Sequence, residues 1–326
     1  MKKIMNDPNQ IVTEMLDGFV AAKPDEVKRI PDTTVVTRKD SPIQNKVGIV
    51  SGGGSGHEPA HAGYIGKGML DAAVAGEIFT SPTPDQVLEA IKAVDGGSGV
   101  LLVIKNYTGD VMNFDMAAEL AEAEGIDVAQ VVVNDDVAID DIDGRRGVAG
   151  TIFVHKIAGA KAEAGASLEE VKTTAEKVIT NVRSMGVALS PCIMPASGNP
   201  SFELGDDEME VGIGIHGEPG TERKPLGTAD EIAVELTNHI LEDLPEAEEV
   251  AVMVNGMGAT PEMELHLVNR KVQEFLQEKG VKTYKTFVGE YMTSLEMAGC
   301  SVTLLNLDDG LKKLLDSPSD APAFRS

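Results

Sequence analysis

Short apolar runs alternate with amphipathic stretches along most of the 326-residue chain. Leu101-Leu102-Val103-Ile104 and Val131-Val132-Val133 are unbroken apolar runs, which suit strands covered on both faces by helices, as in parallel sheets. Strands are predicted over 33–37, 46–51, 99–105, 128–134, 187–194, 209–216, 250–255, 283–288 and 301–305. Helices are predicted over 84–94, 112–125, 151–165, 167–185, 228–241 and 261–279, where apolar residues recur at helical spacing. One more helix is expected near the N-terminus. Asp7 can cap it, Pro8 suits its first turn, and Ile11, Met15, Leu16, Phe19 and Val20 line one face. The pattern predicts an α/β protein of two α/β domains, each a central, largely parallel or mixed sheet flanked by helices. The best boundary follows the helix ending near Met185, giving domains 1–185 and 186–326. The acidic stretch 242–249 is expected to be a solvated loop, and the tail 317–326 to lie on the surface.

Charge narrows the partners. A formal net charge of -25 argues against nucleic acid or an anionic membrane face, both of which attract basic patches. The two cysteines, Cys192 and Cys300, are too few for a disulfide framework and fit a reducing compartment. Residues 1–7 hold two lysines with no apolar segment behind them, so no signal peptide is expected, and no apolar run is long enough to span a bilayer. A cytoplasmic protein fits best.

Three polar clusters fall after predicted strands, where open α/β sheets bind their ligands. Ser51-Gly52-Gly53-Gly54-Ser55-Gly56-His57-Glu58-Pro59 follows the first, Lys105-Asn106-Tyr107-Thr108-Gly109-Asp110 the second and His216-Gly217-Glu218-Pro219-Gly220 the third. The glycine run fails the dinucleotide fingerprint, because His57 or Pro59 stands where its third glycine would be, and no Gly-Lys-Ser/Thr completes a Walker loop. It is either a ligand-free turn or, better, a bare backbone that lets a small polar ligand approach. His57-Glu58-Pro59-Ala60-His61 spells H-E-x-x-H, yet Pro59 breaks the continuous helix that a zinc site of this kind needs. Asp110 could cap a helix starting near Val111, and Lys105 could simply reach to the surface from a strand end. His155, His239 and His266 lie in predicted helices and read as packing or surface residues, with His61 ambiguous. The aspartates between Asp135 and Asp143 fit no metal loop and read as a solvated connection.

These clusters, together with 76–84, 144–151 and 255–261, resemble the substrate-binding K subunit of dihydroxyacetone kinases, in order and through nearly the whole chain. The bacterial separate-subunit type is the best match, since the additional C-terminal nucleotide domain of the fused, ATP-using kinases has no counterpart here. Gly256 departs from the pattern, relatives often carrying a second asparagine there, and the span from His216 to Val250 is shorter than in some. The resemblance implies a phosphotransferase of the phosphoenolpyruvate-glycerone type. His216 would add through Nε2 to the ketone as a hemiaminal, His57 would contact substrate and transfer protons, and Asp110 would act on the hydroxyl to be phosphorylated. Gly54, Ser55, Gly56 and Lys105 would be substrate contacts. No cofactor would bind this chain; ADP/ATP and Mg²⁺ would sit on an L subunit, recharged by a phosphoenolpyruvate-driven relay, and the chain would be a homodimer. The alternative is a regulatory paralogue that binds dihydroxyacetone and acts on a transcription factor. An imidazole, neutral at cytoplasmic pH with an ordinary pKa of ~6.5, suits the anchoring role, and glycerol has no carbonyl to receive it.

Overall fold

The computed structural model describes residues 2–326, and the chain folds into two compact units, each built on a six-stranded mixed sheet. The first unit comprises Ile4–Val133, Thr151–Thr180 and Leu311–Ser326. Its strands are β1 (Val27–Arg29), β2 (Val35–Arg38), β3 (Gly48–Ser55), β4 (Ala72–Ile78), β5 (Val100–Lys105) and β6 (Val128–Val133), in spatial order β1-β2-β4-β3-β5-β6. β4, β3, β5 and β6 run parallel, with β1 and β2 added antiparallel. Its helices are α1 (Ile11–Ala22), α2 (Pro84–Val94), α3 (Thr108–Ala123), α4 (Thr151–Glu163) and α5 (Leu168–Asn181). Every residue of β5 is buried, as its unbroken apolar run requires. Val50, Leu102 and Ile104 pack against Val87 and Ile91 of α2 and Phe114 of α3. Each such side chain contributes about 1.5–3 kcal/mol of burial. Through this core, α3 is fixed with its N-terminal turn directly after the carboxyl end of β5.

The second unit comprises Asn134–Gly150 and Asn181–Gly310, with Lys2 and Lys3. Its strands are β7 (Val182–Ser190), β8 (Glu208–Val211), β9 (Glu222–Pro225), β10 (Glu249–Gly256), β11 (Lys282–Gly289) and β12 (Ala298–Asn306), in the order β11-β10-β12-β7-β8-β9. Only β10 and β11 are parallel. α6 (Ala229–Asp243) and α7 (Glu262–Glu278) press Leu236, Ile240, Leu265 and Val272 onto Val252, Val254, Val302 and Leu304. Thr228 and Glu231 form a reciprocal capping box that starts α6. No helix among the described residues is long and apolar enough to cross a membrane.

The units are discontinuous where the sequence suggests contiguous halves at 185/186. Residues 134–150 belong with the second sheet, because the buried Asp135 carboxylate accepts N–H groups from Val148 and Gly150 and the hydroxyl of Ser184. α5 stops at Asn181 and β7 starts at once, so residues 182–185, expected in a helix, are strand. β4 escapes prediction because Ala72, Ala73 and Ala75 carry weak strand propensity; burial between β2 and β3 overrides it. The strand expected over 209–216 ends at Val211, so His216 sits five residues beyond it in a loop.

Candidate functional site

The glycine run does not follow β3; its first part is the end of β3. Close backbone approach explains the glycines. A Cβ on Gly52 would lie 2.5 Å from the Val74 carbonyl of β4, and one on Gly54 would lie 2.6 Å from the Thr80 amide. Gly53 serves a different neighbour: a Cβ there would stand 2.2 Å from Lys105 Nζ. The lysine therefore occupies the space that the missing side chain leaves.

Lys105, at the end of β5, is wholly buried. Its ammonium faces the Gly52 carbonyl at 3.2 Å, His61 Nε2 at 3.1 Å and Asp110 Oδ2 at 3.5 Å. Asp110 is not the helix cap; Tyr107 holds that position, and Asp110 is a buried residue of the first turn of α3. A carboxylate in that turn is favoured by the partial positive charge of the helix N-terminus. His57 is fully buried, stacked on Phe79 with ring centroids 5.1 Å apart. Ser55 donates its hydroxyl to the Gly76 carbonyl, and Gly56 N–H donates to the Glu58 carboxylate at 3.0 Å. Burial raises the Glu58 carboxyl above its ordinary range, the backbone bonds offsetting this only in part. The first unit thus gathers His57, Lys105, Asp110 and the Gly54–Gly56 backbone around the carboxyl ends of β3 and β5.

His61 turns both ring nitrogens inward, Nε2 to Lys105 and Nδ1 to His155 Nε2 at 3.1 Å. That geometry commits the ring to the protein interior, away from a zinc-ligand role. Among the described residues no group of three or more His, Cys, Asp or Glu is arranged to hold a metal ion. His155 is a buried packing residue of α4, as its predicted helix suggested, but its contact with His61 and hence with Lys105 was not foreseen.

In the second unit the loop after β8 carries His216. Its Nδ1 lies 2.7 Å from Glu218 Oε1, and its backbone N–H donates to Glu218 Oε2 at 2.9 Å. Burial would raise the Glu218 carboxyl, but the hydrogen bonds it accepts from the His216 ring and from backbone N–H groups outweigh it and hold the group below its ordinary range. An ionised Glu218 makes Nδ1 the protonated nitrogen, which puts the lone pair of the neutral ring on Nε2. Gly214 makes room for this carboxylate, since a Cβ there would meet Glu218 Oε2 at 2.1 Å. Arg146 ties down the start of the loop by donating to the Gly212 carbonyl at 2.7 Å while paired with Asp136. Asp136 is itself raised to about 6 by burial, against the pull of Arg146. The basic pair Arg145-Arg146 and the aspartates before it are thus partly a scaffold for this loop. Glu218 was passed over in the sequence, although the signal was present. In both His57-Glu58-Pro59 and His216-Gly217-Glu218-Pro219, a glutamate before a proline accepts the backbone N–H two residues earlier.

The Dak1 domain model matches residues 17–323. The dihydroxyacetone-binding subunit of PTS-dependent dihydroxyacetone kinase 1 from Listeria innocua is 58% identical over 314 residues, spanning 95% of each chain. Among solved structures, a dihydroxyacetone kinase operon co-activator is 38% identical with a TM-score of 0.90, over 95% of this chain and 97% of its own. The dihydroxyacetone kinase of C. freundii, solved with AMP-PNP and Mg²⁺, is 37% identical with a TM-score of 0.94; the match takes in 100% of this chain and 61% of that one.

Proposed function

Since the chain belongs to the Dak1 domain family of dihydroxyacetone kinases, which are phosphotransferases, we propose that it is the dihydroxyacetone-binding subunit of such a kinase and anchors the ketone as a hemiaminal on His216. The observation that carries this reading is the contact between His216 Nδ1 and Glu218, which leaves the lone pair on Nε2. In the anchoring step Nε2 forms a bond to the ketone carbon, and the carbonyl π pair moves to oxygen. The oxygen takes a proton from His57 in its protonated form, which is left neutral, and ionised Glu218 on Nδ1 balances the ring as it becomes cationic. Glycerol offers no electrophilic carbon, so the bond selects ketones over polyols. Anchoring also holds a terminal hydroxyl still, the positioning on which phosphoryl transfer mostly depends. Asp110 accepts the proton of that hydroxyl as its oxygen attacks phosphorus, and the bond to the nucleotide breaks with its electron pair leaving on ADP. Lys105 and the Gly54-Ser55-Gly56 backbone are assigned to substrate contact and orientation.

The donor in this reading is an L subunit carrying ADP/ATP and Mg²⁺, recharged by a phosphoenolpyruvate-driven relay. The listerial relative's PTS-dependent name supports it. The reading also makes the chain a cytoplasmic homodimer, consistent with two buried, unbridged cysteines. Calorimetry with Mg-ATP on this chain alone should show no tight site, and dihydroxyacetone phosphate should form only once an L subunit is added. ATP-dependent turnover by the chain alone would overturn the division of labour. A regulatory role is the second reading, favoured by the 38% identity to the operon co-activator. Adduct formation without phosphate transfer in the reconstituted system would select it.

A further inference from the structure

Behind Asp110 lies a row of buried polar groups that the reaction scheme leaves without a task. We infer that His61 and His155 are positioning residues that act through Lys105, forming a chain of fixed tautomers that aims one ammonium proton at Asp110. The inference rests on the reading of Asp110 as the base and deepens it.

A lysine ammonium has three N–H groups and no acceptor. Lys105 Nζ has three partners within reach, the Gly52 carbonyl, Asp110 Oδ2 and His61 Nε2. Each donor then has one acceptor, which requires His61 Nε2 to carry a lone pair. The His61 proton must therefore be on Nδ1, where it is donated to His155 Nε2 at 3.1 Å. His155 is in turn left as its Nδ1–H form. That nitrogen is buried and has no hydrogen-bond partner among the described residues. An unmet buried donor is destabilising, and a leucine or phenylalanine at the same place in α4 would avoid it. Both rings are held neutral, burial acting first and the Lys105 charge second, so the chain keeps one protonation state across the neutral range. Loss of the His61 acceptor would leave Lys105 with two partners and freedom to swing, and Asp110 would lose its aimed donor.

Nitrogen-15 NMR of the histidine rings in the intact chain tests the tautomers without any turnover. Six histidines are present, and His61→Gln and His155→Phe assign the two signals. Both rings should be neutral and protonated on Nδ1 at pH 7; a His61 protonated on Nε2, or charged, overturns the inference. Kinetics with the L subunit supply the second arm. His61→Gln places an amide oxygen near the Nε2 position and an NH₂ toward His155, whereas His61→Leu removes both functions. His61→Leu should lower kcat by about tenfold or more, a larger loss than any it causes in dihydroxyacetone affinity, and His61→Gln should recover most of the loss. Equal losses in both variants, or an unchanged kcat in His61→Leu, would mean that His61 is a packing residue only. Should the leucine variant fail to fold, the glutamine variant and the tautomers still decide. Asp110→Asn separates the two failures. An active Asp110→Asn refutes the base assignment whatever the tautomers, whereas an inactive one beside an unaffected His61→Leu refutes this inference alone.

Discussion

Replacing Glu218 by glutamine probes how His216 is held, because the two side chains have the same shape but one acceptor oxygen fewer. Glu218 accepts from both the His216 backbone N–H at 2.9 Å and the ring Nδ1 at 2.7 Å. A glutamine oxygen can keep only one of them. If it keeps the backbone N–H, its NH₂ faces Nδ1, which must become an acceptor and yield its proton to Nε2. The lone pair needed for addition to a ketone is then gone. If the oxygen keeps the ring, the backbone N–H confronts an NH₂, and a charge-assisted bond has become a neutral one. Either outcome removes about 1.4–2.8 kcal/mol from the competent state, the range for an unmet donor or a lost charge-assisted bond. Dihydroxyacetone should therefore bind about 10- to 100-fold more weakly to Glu218→Gln. The change is confined to one loop, so the melting temperature should move by only a few degrees. Calorimetric titration of the lone chain with dihydroxyacetone measures the effect, and an affinity within about twofold of the parent would refute the reasoning.

Three further outcomes are expected. Asp110→Asn preserves volume and a hydrogen-bonding oxygen, so the chain should still fold while L-subunit-dependent turnover falls about 100-fold or more; near-parental turnover would reduce Asp110 to a helix-terminus residue. Gly53→Ala drives a methyl toward Lys105 Nζ, at 2.2 Å in the undistorted backbone, so the lysine must leave its place and turnover should drop about tenfold or more; full activity would show that Lys105 need not stand there. Burial and then the Lys105 charge hold His155 down at about 3 and His61 well below its ordinary 6.5. The unfolded chain takes up protons that these sites refuse, so their contribution to stability is present above pH 6.5 and lost as pH falls toward 3, by up to about 1.4 kcal/mol per pH unit for each histidine. Urea midpoints of the parent and His155→Phe at pH 7 and pH 5 should show a smaller loss in the variant; equal losses would contradict the neutral, buried assignment.

Much of the fold was legible because its signals are local. The apolar runs at 101–104 and 131–133 became β5 and β6, the long amphipathic stretches became α2, α6 and α7 within a few residues, and 151–165 became α4, buried on all sides. Elements whose identity depends on distant partners were lost. The alanines of β4 form a strand only because β2 and β3 flank them, and residues 134–150 join the second sheet through residues distant in sequence, Asp135 and Val137 with Ser184, Arg145 with Asp243 and Arg146 with Gly212. The candidate site divides in the same way. His57, Lys105, Asp110 and His216 stood out as polar residues among glycines near strand ends. The reason for the glycines did not, since it lies in what approaches them: β4 at Gly52, Lys105 at Gly53 and Glu218 at Gly214. His155 looked like any helix histidine, because nothing local to it announces His61, which is 94 positions away.

A crystal of this chain soaked in dihydroxyacetone addresses the anchoring role of His216 most directly. Continuous density is expected from His216 Nε2 to the former ketone carbon, now tetrahedral, with Glu218 still on Nδ1. Density for an intact planar ketone, at hydrogen-bonding distance from the ring, would contradict it.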